Sequence, residues 1–93
     1  MVTVVVSMLL ELPPVGSLKE KRRILKSLLT RLRQDFNISI AEVDHNDQPR
    51  RALIGGAVVS NSSSFGHQVM SKVVSRVEGD PQVVLADYRM ETY

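Results

Sequence analysis

The residues of this sequence best suited to chemistry are five cations: Lys19, Arg22, Arg23, Lys26 and Arg33. At 100° per residue they fall within about 100° of a helix circumference. A row of this kind neutralises phosphates, so the chemistry it offers is electrostatic binding of a nucleic acid. The competing reading is a solvated helix face whose charges pair with acids elsewhere. Their position favours function. The first four occupy the opening turns of the segment, at the positive end of a helix dipole, where each cation costs about 0.3–1 kcal/mol. A local rule broken several times with no local gain points to a binding role, and a phosphate at that terminus would meet Lys and Arg side chains.

The remaining chemistry-bearing residues are weaker. Glu42, Asp44, His45 and Asp47 lie close together, but neighbours on a strand point to opposite faces, so Asp44 and His45 cannot share a metal without a bulge. A polar strand end, with Asp44 opposite Arg51 across a hairpin, explains them more simply. His67 has no activating neighbour. Ser60, Ser62, Ser63 and Ser64 suit helix capping better than nucleophilic catalysis. Gly55-Gly56 sits inside a strand instead of opening a helix, which matches no phosphate loop. No catalytic residue, metal or cofactor is expected, and the reading is of a protein that is not an enzyme.

Composition sets the frame. The 93 residues, 43% hydrophobic and 24% charged, fit one globular domain spanning 1–93. Cysteine is absent, which removes disulfides and thiolate chemistry and suits a cytoplasmic location. The apolar opening run, Val2 to Leu12, is too short for a membrane span and lacks the features of a secretory signal. The net charge of +2 is uninformative until it is divided. Ser17–Asp35 holds seven cations against two acids, while the rest holds five against eight.

The elements that must position the cations follow from periodicity. A strand over about Val2–Leu12 alternates Val2, Val4, Val6, Met8 and Leu10 with Thr3, Val5, Ser7, Leu9 and Glu11. Pro13, Pro14 and Gly16 turn the chain. Ser17 and Glu20 form a capping box, opening a helix to about Asp35. Leu18, Ile24, Leu25, Leu28, Leu29 and Leu32 share an arc of about 140° opposite the cations. Lys21 falls inside that apolar arc, and its place in the first turn predicts that it snorkels out. A second strand spans about 37–45, where Ile38 and Ile40 suggest one face and Ala41 and Val43 the other, so either a bulge or two-sided cover is required. Strand three is Arg51–Ser60, with something expected close to the backbone at Gly55-Gly56. Phe65, Val69, Met70, Val73, Val74 and Val77 line one face of a second helix, ending at a left-handed cap on Gly79. A fourth strand runs from Gln82 to about Thr92. The order βαββαβ predicts an α+β, ferredoxin-like sandwich: a four-stranded antiparallel sheet with two helices on one face.

Three segments carry a recognisable pattern: Gly16–Arg23 (GSLKEKRR), Asn37–His45 (NISIAEVDH) and Arg51–Ser60 (RALIGGAVVS). Together they resemble the YlxP-like family of small bacterial proteins, a domain of unknown function. The resemblance covers essentially the whole chain. It implies a ferredoxin-like fold and a bacterial cytoplasm, and its genomic neighbourhood points towards translation. It supplies no catalytic or binding residues. Two other ferredoxin-like classes fit poorly. The Pro13–Ser17 turn lacks the Arg of an acylphosphatase cradle, and strands one and three lack the aromatics on which an RNA-recognition motif stacks bases. The expected function is therefore a non-catalytic module that binds ribosomal RNA or a ribosomal subunit by charge along helix one. The alternative is a homo-oligomeric interaction or ligand-sensing domain, contacting through an open sheet face of Val5, Leu9, Leu53, Ala57 and Val59, or through a sheet edge.

Overall fold

Five consecutive β-branched residues, Val2 to Val6, commit the start of the chain to extended backbone. They form β1 (Val2–Glu11). The computed structural model describes residues 1–14 and 16–93. Five further elements follow: α1 (Leu18–Asp35), β2 (Ser39–Asp44), β3 (Arg51–Ser60), α2 (Ser63–Glu78) and β4 (Val84–Thr92). The expected order βαββαβ is the order found. The sheet runs β2-β3-β1-β4 with every pairing antiparallel, the α+β, ferredoxin-like arrangement.

Register decides which face is covered. Val4, Val6, Met8 and Leu10 are fully buried, and pairing sets them beside Val58, Gly56, Ile54 and Ala52 of β3. Ile40 lies on the same side, opposite Gly56. Both helices cover this face. From α1 come Ile24, Leu25, Leu28, Leu29 and Leu32, and from α2 come Met70, Val73, Val74 and Val77. Burial of each such Leu or Val stabilises by about 1.5–3 kcal/mol before entropy is counted. Gly66 brings α2 close to β1, since a Cβ there would stand 2.7 Å from Cγ2 of Val4. Only glycine allows that approach.

Several local expectations need correction. β2 is shorter than predicted, and the irregularity left open is a bulge: Glu42 opposes Ile54, Asp44 opposes Leu53, and Val43 is the extra residue. The bulge swings Val43 over Gly55, whose Cβ would meet Val43 Cγ1 at 3.1 Å, so the close approach expected at that glycine is made by a side chain. Asp44 does not face Arg51; its Oδ1 accepts the amide of His45 at 2.7 Å. Gly79 caps α2 with φ −83°, so it is not left-handed. Leu18 and Phe65, assigned to the apolar faces, are exposed. Phe65 stands in the first turn of α2, where it lines an open cavity with Phe36, Val58, Val59 and Val69. Half of the capping box forms: Ser17 Oγ accepts the Glu20 amide at 3.2 Å, while the Glu20 carboxylate turns to Arg23.

Candidate nucleic-acid interface

The first departure from expectation lies directly beneath the cation row. Lys21 does not snorkel to water. It is 1% exposed, and its Nζ donates to the carbonyls of His45 and Gln48, each at 2.6 Å. Glu42 Oε2 stands 2.8 Å away as the counter-ion. That oxygen has no directed hydrogen bond, so its interaction with Nζ is chiefly charge on charge. The ammonium thus donates to two carbonyls and keeps a carboxylate beside it as counter-charge. The ligands come from β2 and the turn after it, because Glu42 follows Ile40 by two and shares its helix-facing side. Lys21 therefore pins the β2–β3 connection to the first turn of α1.

Arg22 extends the same clamp from outside. Its guanidinium reaches Glu42 Oε1 at 3.3 Å and the Asn46 carbonyl at 3.2 Å. Of the four cations in the opening turns, Arg22 thus gains contacts across the fold that offset its dipole cost. Arg23 ion-pairs with Glu20 one turn earlier. The hydrogen bond from Arg23 holds the Glu20 carboxyl below the usual carboxylate range, and the same bond raises Arg23. Arg33 reaches from the last turn to the carbonyl of Ile40 at 2.7 Å, covering part of edge strand β2. Lys19 and Lys26 are exposed and make no ion pair or side-chain hydrogen bond among the described residues.

The five predicted cations thus share one exposed helix face in two roles. Arg22, Arg23 and Arg33 each hold a protein partner, yet Arg22 and Arg23 keep more than half of their side chains in water. A guanidinium has five donors. A partner that takes one or two of these orients the group and leaves others for a ligand. Lys19 and Lys26 are wholly available. The row from Lys19 to Arg33 spans about 21 Å at 1.5 Å per residue. On α2, Lys72 and Arg76 line a groove of about 580 Å³ with Phe36, Ser71, Ser75 and Gly79. Arg76 pairs with Asp35 and lies 5.3 Å from the Phe36 ring centroid. Neither residue stood out in sequence, although their spacing of four on an exposed helix face was a readable signal.

The acidic cluster is dispersed. Glu42 serves Lys21 and Arg22, and Asp44 serves the His45 amide, while His45 is left-handed at φ 62° and lines a shallow cavity on the opposite sheet face. Among the described residues no three His, Asp or Glu side chains are placed to hold a metal. His67 Nε2 meets Thr92 Oγ1 at 2.7 Å. Ser62 caps α2, its Oγ accepting the Phe65 amide at 3.3 Å. On the open sheet face, Val5, Leu9, Leu53 and Ala57 are half-buried and Val59 is exposed. Pairing with β1 aligns Asp87, Arg89 and Glu91 of β4 beside them, so the face is apolar towards β3 and charged towards β4. Among the described residues no helix is long and apolar enough to cross a membrane.

The chain is 36% identical over 78 residues to a Bacillus subtilis (strain 168) protein described as "Uncharacterized protein YlxP", covering 84% of this chain and 85% of that protein. The profile of the family described as "Protein of unknown function (DUF503)" matches residues 3–90. With nearly its full length matched by that profile, the chain belongs to the DUF503, or YlxP-like, family.

Proposed function

We propose that this protein is a non-catalytic binding module for RNA or the ribosome, working through the exposed face of α1. One observation carries the reading. Lys19 and Lys26 stand free in water among Arg22, Arg23 and Arg33, and the one carboxylate of α1 that reaches this row, Glu20, is taken up by Arg23. The partners of the arginines fix where those groups point, and a preset cation row needs less ordering when it meets a phosphate backbone. Neutralising phosphates there releases counter-ions, so the affinity falls steeply with salt.

The structure also selects the variants for the test. Reversal of Arg22 or Arg33 would loosen β2 as well as the row. Lys19→Glu/Lys26→Glu changes only charges without a protein partner. Co-sedimentation with ribosomal particles and filter binding to ribosomal RNA are measured across a salt series. The double variant is expected to lose binding and to shift the salt slope by about 1.4, or about 0.7 for each phosphate contact to single-stranded RNA. An unchanged slope and unchanged co-sedimentation would refute the proposal.

A further inference from the structure

The two edges of the sheet are treated differently. β2 is short, bulged at Val43, clamped by Lys21 at its end and covered at the Ile40 carbonyl by Arg33. Those are ordinary devices for blunting an edge. β4 is longer, nine residues from Val84 to Thr92, and beyond the bulge near its start and the Asp87 carboxylate on the Tyr88 amide the described residues give it no such cover. Its free groups can be assigned. Thr3 and Tyr93 exchange both backbone hydrogen bonds, at 2.9 and 2.8 Å. By antiparallel alternation the next hydrogen-bonded pairs with β1 are Val5 with Glu91, Ser7 with Arg89 and Leu9 with Asp87. The amides and carbonyls of Tyr88, Met90 and Thr92 therefore point away from β1. The Tyr88 amide confirms the parity, since its bond goes to Asp87 Oδ1 at 2.9 Å instead of to β1.

We propose that this edge pairs with β4 of a second copy of the chain, antiparallel about a two-fold axis at Met90. Charge selects the partner and the register. With the axis at Met90, Arg89 faces Glu91 of the partner subunit, and its own Glu91 faces the partner's Arg89. Tyr88 and Thr92 then lie opposite each other, and Met90 meets its own copy. Moving the axis to residue 89 opposes Arg89 to Arg89 and Asp87 to Glu91. Moving it to residue 91 opposes two glutamates. Like charges directly opposite destabilise a sheet, whereas opposite charges support it. An axis at Tyr88 restores opposite charges, but it runs the pairing into the bulge at the start of β4; in either register the Tyr88 amide exchanges Asp87 Oδ1 for a carbonyl of the second copy. Met90 is thus the position where backbone parity, side-chain charge and free length agree. The product is one continuous eight-stranded sheet, an isologous contact.

The paired segment is short, well below the roughly 800 Å² per partner of a standard interface, so association depends on concentration. Sedimentation equilibrium of the intact chain is read from micromolar to millimolar. The mass is expected to rise from 10.4 kDa towards twice that value. Arg89→Glu sets four carboxylates on the paired stretch and is expected to hold the protein monomeric, while Arg89→Glu/Glu91→Arg restores the dimer. Met90→Pro removes an outward amide together with a side chain packed partly against the core, and is expected to give a monomer whose fold is checked by circular dichroism. A wild type that stays monomeric at millimolar concentration overturns the proposal. So does a dimer that survives Arg89→Glu, or a charge swap that fails to restore it. If Met90→Pro does not fold, the charge variants alone decide.

Discussion

Replacing Lys21 by Met keeps the length of the side chain and removes its charge. The consequence can be worked from the contacts. Loss of one member of a buried ion pair costs about 3–5 kcal/mol, because the other charge is stranded. Here Arg22 still reaches the second oxygen of Glu42, at 3.3 Å. That guanidinium is more than half exposed, so its contact recovers no more than about 1 kcal/mol. The His45 carbonyl keeps the Gln48 amide at 3.0 Å, whereas the Gln48 carbonyl loses its Lys21 donor and turns to water. The expected loss is about 3 kcal/mol, or roughly 12–24 °C in Tm for a domain of this size. Urea unfolding followed by circular dichroism measures it, with the slope m unchanged. In Lys21→Met/Glu42→Leu no charge is left stranded, and about 2 kcal/mol should return. A single variant that costs less than about 1 kcal/mol, or a double variant no more stable than the single, would refute the account of the clamp.

Two further outcomes are expected. Glu20 is held below its ordinary pKa by Arg23, so the pair favours folding above the ordinary Glu value, and that contribution disappears as pH falls through the lowered one. In Arg23→Gln the Glu20 titration, read by carboxyl-carbon NMR, should move up towards the ordinary range; identical midpoints in the two proteins would contradict the bond. Gly66→Ala should destabilise by about 1–3 kcal/mol through overpacking against Val4, despite the roughly 1 kcal/mol by which Ala outranks Gly in a helix. In a Val4→Ala background the same change should stabilise, and a gain in the wild-type background would show that α2 can move off β1.

The sheet and helices were legible because their periodicities are strong. The β-branched alternation of β1 and the leucine arc of α1 leave no other assignment. What was not legible depends on contacts between distant segments. The arc placed Lys21 among leucines, but its partners are backbone carbonyls of residues 45 and 48, and carbonyls carry no sequence signal. Glu42 did carry one, two residues after Ile40 on the same face, which marked it as a buried acid in need of a cation. All five cations of the row are exposed on α1, as the periodicity placed them. The division of the row into three guided arginines and two free lysines needed coordinates, because the guides are Glu20, Glu42, the Asn46 carbonyl and the Ile40 carbonyl, drawn from two elements and a turn.

The clamp also divides the four lysines into two chemical kinds. Lys19, Lys26 and Lys72 stand in water, where an amine-reactive reagent or an acetyltransferase meets them at once. Lys21, held by two carbonyls and the Glu42 carboxylate with 1% of its surface exposed, becomes nucleophilic only when the β2–β3 hairpin swings away from α1. Its labelling rate in the native protein is therefore a clock for that opening, distinct from global unfolding. An acetyl group installed on the nascent chain would stop the clock at its open setting, since an amide brings one donor where the cage holds three acceptors.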